Sequence, residues 1–109
     1  MVEKERQRSY SWYLDKEKKN QVFIRFVFTS DGKGPEEFSV SYCQIIDEKP
    51  REIVRYDCSA LENVHMHQFF RNHHEKKKLD KEISYETMQE FVDNIEKNWG
   101  QYLAKFKEK

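Results

Sequence analysis

Glycine, proline and cysteine are scarce in this chain. Three glycines and two prolines exclude collagen-like and proline-rich architectures and leave no glycine-rich loop to cradle a nucleotide phosphate. Cys43 and Cys58 are the two cysteines, and no C-x-x-C occurs, which removes zinc-ribbon and thioredoxin-like readings. Net charge is missing as well. Twenty basic and twenty acidic residues balance, so binding to duplex DNA on overall charge is excluded. No run approaches the roughly 20 consecutive apolar residues of a membrane helix. Met1 to Arg8 is charged and lacks the apolar core of a signal peptide. A soluble, cytoplasmic protein with no membrane association is expected.

Aromatic side chains are what the chain has in plenty, at 15% of residues, and that abundance argues against wholesale disorder. A length of 109 residues suits one domain, so residues 1–109 are expected to form a single unit with the first eight, all but two of them polar, frayed.

The pattern along the chain changes period once. Tyr10, Trp12 and Leu14 alternate with Ser9, Ser11 and Tyr13, which reads as a half-buried strand. Val22 to Thr29 is rich in β-branched and aromatic residues and reads as a second strand. Asp31, Gly32, Gly34 and Pro35 then mark a turn. Phe38 to Ile46 is a third strand, with Phe38, Val40 and Tyr42 on one face and Ser39, Ser41 and Cys43 on the other. Ile53 to Cys58 is a fourth, and Val64 to Phe70 a short fifth. A hairpin centred near Lys49 sets Cys43 and Cys58 out of register, so two free, partly buried thiols are expected rather than a bridge.

Further on, Met88, Phe91, Val92, Ile95, Trp99, Tyr102, Leu103 and Phe106 recur at steps of three and four. That spacing predicts an amphipathic helix of about twenty residues. Ser84 suits its N-cap, Glu86 its first turn, and Lys105, Lys107 and Lys109 its C-terminal end. Gly100 lies within it and suggests a kink or a close contact. Successive strands followed by one long helix make an α+β domain, an antiparallel sheet of four to five strands packed against one long C-terminal helix.

All four histidines fall between Val54 and Lys78, beside Arg55, Tyr56, Asp57 and the Lys76–Lys78 run. His65 and His67 are two apart, and on a strand such residues share a face. Two imidazoles so placed serve one metal ion or one substrate phosphate, with Asp57, His73 or His74 as a third ligand. An H-x-H pair without a fixed third spacing is a weak metal signal, so neither metal nor cofactor is expected. Acid–base chemistry needs an imidazole and a partner that orients it, and Asp57 supplies that partner. Candidate catalytic residues are therefore Asp57, His65 and His67. Arg55, Tyr56, Lys76, Lys77 and Lys78 are candidates for holding substrate. The plain alternatives are solvated histidines on a sheet edge, a structural Arg55–Asp57 pair, and a charged loop ahead of the helix.

Val54-Arg55-Tyr56-Asp57, then His65-x-His67, then a long helix carrying Asn98-Trp99, resembles the TumE-like toxin group of small prokaryotic α+β proteins and their uncharacterised relatives. The similarity spans about Phe38 to Phe106. It implies an antiparallel sheet with a C-terminal helix, and a toxin partnered by a DNA-binding antitoxin. The histidines beside Asp57 and the basic run point to RNA as its substrate. The matching positions are Arg55, Tyr56, Asp57, His65 and His67.

Two other classes of function compete with an RNA-directed toxin. A protein-interaction module would use the sheet edge or an aromatic sheet face, including as a homodimer. A single-stranded nucleic-acid binder would stack bases on Tyr10, Trp12, Tyr13, Phe23, Tyr42 and Tyr56 beside Arg25 and Arg55.

Overall fold

The structure is a computed structural model and describes residues 6–59, 61–69 and 74–107. Strands β1 (Gln7–Tyr13), β2 (Asn20–Phe28), β3 (Pro35–Ile46), β4 (Lys49–Ser59), β5 (Glu62–Phe69) and β6 (His74–Lys78) precede one helix, α1 (Tyr85–Lys107). Short connections allow only antiparallel neighbours. The strands accordingly pair in chain order, β1-β2-β3-β4-β5-β6, as one six-stranded antiparallel sheet.

Six strands correct the expectation of four to five. The additional strand is β6, His-Glu-Lys-Lys-Lys, which shows no alternation of apolar and polar residues. It lies at the sheet's edge, where charged side chains, lysine above all, are the normal composition. Its partner β5 supplies the pairing that its own sequence does not advertise. Gln7 and Arg8 also belong to β1, so the frayed stretch expected at the N-terminus does not extend that far.

The β3–β4 turn sits slightly earlier than Lys49, which already pairs with Ile46. Asp47 and Glu48 both adopt positive φ, 53° and 66°. A two-residue hairpin with two left-handed residues matches the twist of its strands. Cys43 then opposes Glu52 and Cys58 opposes Phe38, and both thiols are free and buried.

One sheet face carries the apolar core. Val22, Phe38, Val40, Tyr42, Val54, Tyr56, Val64 and Met66 alternate inward and meet Phe91, Val92 and Ile95 of α1. The helix lies over the sheet's centre, against β3 and β4. Phe91 stacks on Tyr56 with ring centroids 4.0 Å apart, and Trp99 meets Tyr42 edge-on at 6.1 Å. Such pairs add about 0.5–1.5 kcal/mol beyond their buried area. Ser84 caps the helix, its Oγ accepting the Thr87 N–H at 3.1 Å. α1 continues through Gly100, which is exposed and has nothing within 4 Å of where a Cβ would stand, so no close contact explains it.

Burial pushes the Cys43 thiol up to about 12 and the Cys58 thiol up to about 11. Burial likewise raises the Tyr42 and Tyr56 hydroxyls above their ordinary range. All four are neutral when protonated, and the folded chain holds their protons more tightly than the unfolded one. Their contribution to stability is therefore complete below the ordinary values of 9.0 and 10.0 and is lost as pH rises above them. The midpoint of thermal unfolding should stay level up to about pH 8.5 and fall from about pH 9 upward. Both thiols should resist alkylation near pH 8 until denaturant is added. Rapid labelling of the native protein at that pH would contradict this packing.

Candidate functional site on the open sheet face

The face away from α1 collects the polar chemistry. Alternation places Arg55 and Asp57 of β4, and His65 and His67 of β5, on this face, because Arg55 pairs with His67 and Asp57 with His65. β6 adds Lys76 opposite His67 and Lys78 opposite His65. His65 and His67 are buried, 4% and 8% exposed, although no helix covers them. Neighbouring rings and the β4 side chains enclose them. The His67 ring lies 4.7 Å from His65 and 4.9 Å from His74, and Phe69 stacks on His74 at 4.6 Å.

Asp57 is the hub. Its Oδ2 accepts the Arg55 Nε–H at 2.6 Å. Its Oδ1 contacts Nε2 of His65 directly and lies 3.9 Å from Nε2 of His67. The other ring nitrogens are held from behind. Nδ1 of His65 lies 2.8 Å from the Asn63 carbonyl, which can only accept, so this nitrogen carries a proton. Nδ1 of His67 lies 2.7 Å from Nε2 of His74. Burial, with Arg55 nearby, holds the His67 imidazole below its usual range.

Two β-bulges bring further carboxylates to this face. Between Tyr42 and Cys43 the β3–β4 register shifts, so Cys43 opposes Glu52 and Ile53 becomes the additional residue. Glu52 then accepts from Arg55 Nη1 at 2.7 Å and from the Ser41 hydroxyl at 3.0 Å. A second shift between Asp57 and Ser59 sets Glu62 opposite Ser59. Glu62 pairs with Lys76, and that hydrogen bond holds its carboxyl below the usual range. Bulges re-aim side chains in this way beside functional sites. Strict alternation assigns both glutamates to the helix side, so sequence reasoning missed them, and no residue at either bulge signals the shift.

The centre opens into a shallow depression of about 450 Å³. Arg25, Arg55 and Lys76 line it together with Glu37, Asp57 and Glu62, so its cations and carboxylates balance.

Not every expected site residue joins it. Tyr56 points to the opposite face, where its hydroxyl lies 2.9 Å from that of Tyr102 and accepts from Asn94 Nδ2 at 2.6 Å. Its position between Arg55 and Asp57 dictates this, since neighbours on a strand alternate. Lys77 opposes Met66 and follows the same parity, away from the histidines. Lys78 shares their face, but the depression is lined by Lys76. His73 lies outside the described residues. The aromatic platform is dispersed: Tyr42 and Tyr56 are buried under α1, and Trp12 Nε1 donates to Glu96 of α1 at 3.0 Å.

Fold and site together define a small α+β protein, a helix-backed antiparallel meander with a histidine–carboxylate centre on its open face. The chain belongs to the family described as a domain of unknown function, DUF7718, whose family model matches residues 1–109. No curated protein and no solved structure matches it. Among the described residues no helix is long and apolar enough to cross a membrane.

If Tyr56 serves packing alone, Tyr56→Phe removes one hydroxyl from the Tyr102–Asn94 cluster and costs about 1–2 kcal/mol. Denaturant unfolding should show that loss, while the imidazole resonances of His65 and His67 keep their positions. Marked shifts of both would place Tyr56 in the site after all.

Proposed function

We propose that this protein cleaves RNA phosphodiester bonds as the toxin-type member of a toxin–antitoxin pair. What supports this is the meeting of Asp57, His65 and His67 with Arg55 and Lys76 around one open depression. A phosphodiester entering it would lie between a proton-accepting centre and two side chains that can neutralise charge on phosphorus. In transesterification the 2′-oxygen bonds to phosphorus and the bond to the 5′-oxygen breaks, with one of His65 and His67 taking the 2′ proton and the other supplying a proton to the 5′-oxygen. The Asp57–His65–His67 centre faces the 2′-hydroxyl, and Arg55 and Lys76 stabilise the crowded phosphorus. The similarity to the TumE-like group points the same way, and a DNA-binding antitoxin is the partner it calls for.

Induced expression of the wild type should arrest bacterial growth, and His65→Ala/His67→Ala should not. Equal growth of the two strains removes the proposal. The register sharpens the test. Lys76→Ala should lower cleavage of a single-stranded RNA oligonucleotide at least about tenfold. Lys77→Ala, on the other side of β6, should leave it unchanged, and equal loss from both would reduce the lysines to a diffuse charge effect.

A second reading is favoured by β1. This edge strand is exposed along most of its length, and Tyr10 and Tyr13 are 55% and 46% exposed. An edge of this kind is a template for pairing with another chain, here a second copy. Light scattering during size exclusion should then report a dimer that Tyr10→Lys disperses, whereas a monomer at high concentration excludes it.

A further inference from the structure

We infer that Asp57 Oδ1, His65 Nε2 and His67 Nε2 are three ligands of one divalent transition-metal ion of the zinc class, with the remaining positions open to water or to a phosphate oxygen. Asp57, His65 and His67, on two neighbouring strands, each offer one ligand atom within 4.8 Å of the other two. Two imidazoles and one carboxylate on a metal with an open position are a recurrent catalytic ligand set.

The orientation of each ligand is fixed from behind, as metal ligands usually are. His65 gives its Nδ1 proton to the Asn63 carbonyl, which directs Nε2 into the centre. His67 is held through Nδ1 by His74, and Asp57 through Oδ2 by Arg55. His65 Nε2 and Asp57 Oδ1 are in direct contact, close enough to share a proton, and an ion bonded to both would set them about 3 Å apart. A proton would satisfy that contact, but it would not account for His67. Its Nε2 lies 3.9 Å from the same oxygen, too far for a hydrogen bond. An ion with bonds of about 2.0–2.2 Å spans such a gap.

Charge supports the same occupant. The cations lining the depression are matched by carboxylates, so an anionic substrate meets no net attraction. A divalent ion would turn the basin electropositive. This deepens the RNA reading by supplying the group that draws in phosphate. With both Nε2 atoms on the ion, a water in its open position rather than an imidazole would take the 2′ proton. Metal binding is measured without RNA, so the two fail separately.

The test uses the untagged full chain, stripped of metal. Zinc is titrated against a chromophoric chelator, and cobalt(II) is followed by its visible absorption. One ion per chain is expected, with the visible bands of low-coordinate cobalt. Asp57→Asn and His67→Gln should each weaken binding by at least about tenfold. A wild type that binds no more tightly than His65→Ala/His67→Ala overturns the inference. Should the variants not fold, cobalt added to the wild type gives the answer by NMR. Paramagnetic shifts centred on Asp57 and Val64–Gln68 support the site, and shifts centred elsewhere overturn it. RNA cleavage undiminished by chelation, in a protein that binds no zinc, would keep the enzyme and discard the metal. One bound zinc with uncut RNA would do the reverse.

Discussion

The pairing of Asp57 with His65 across β4 and β5 is the constraint on which the rest depends. It puts Arg55 opposite His67 and sends all four side chains to the face away from α1. Side-chain direction on a strand has a period of two, so a slip of one residue would bury the centre and expose the core. The core forbids that slip. Tyr56, between Arg55 and Asp57, is fixed from the other side by its stack on Phe91 and by the hydroxyl cluster with Asn94 and Tyr102. The helix therefore does not touch the site but sets the register that builds it.

The two faces have different jobs and different tolerances. On the helix side, close packing of aromatic and branched side chains supplies cohesion, and any lost volume costs stability. On the open side, polar groups are buried without a covering layer. Each of the two imidazoles there uses its Nδ1 to anchor itself and presents Nε2 toward Asp57. Burying two imidazoles beside a carboxylate is expensive unless every donor and acceptor is matched. His65 is matched on both ring nitrogens, whereas Nε2 of His67, 3.9 Å from Asp57, makes no hydrogen bond to that carboxylate.

Much of this was legible in the residues. The periods of Phe38–Val40–Tyr42 and of Met88–Phe106 give the α+β class, and H-x-H with Asp57 points to one sheet face. Tyr56 and Lys77 have the chemistry of substrate-binding residues, but strand parity alone sends them to the other side. β6 was missed because an edge strand of lysines lacks the apolar alternation by which strands are recognised. Glu52 and Glu62 were invisible because they reach the open face only through bulges, and a bulge is a property of two strands in register, not of either sequence. The balance of charges around the depression depends on one of them, Glu62, together with Glu37 and Asp57.

The most direct test of the open-face centre is a crystal of the untagged protein grown with zinc, with an anomalous difference map recorded at the zinc edge. A single peak should appear about 2.0–2.2 Å from Asp57 Oδ1, His65 Nε2 and His67 Nε2. An empty centre in crystals that carry zinc elsewhere, or imidazoles turned away from Asp57, would contradict it.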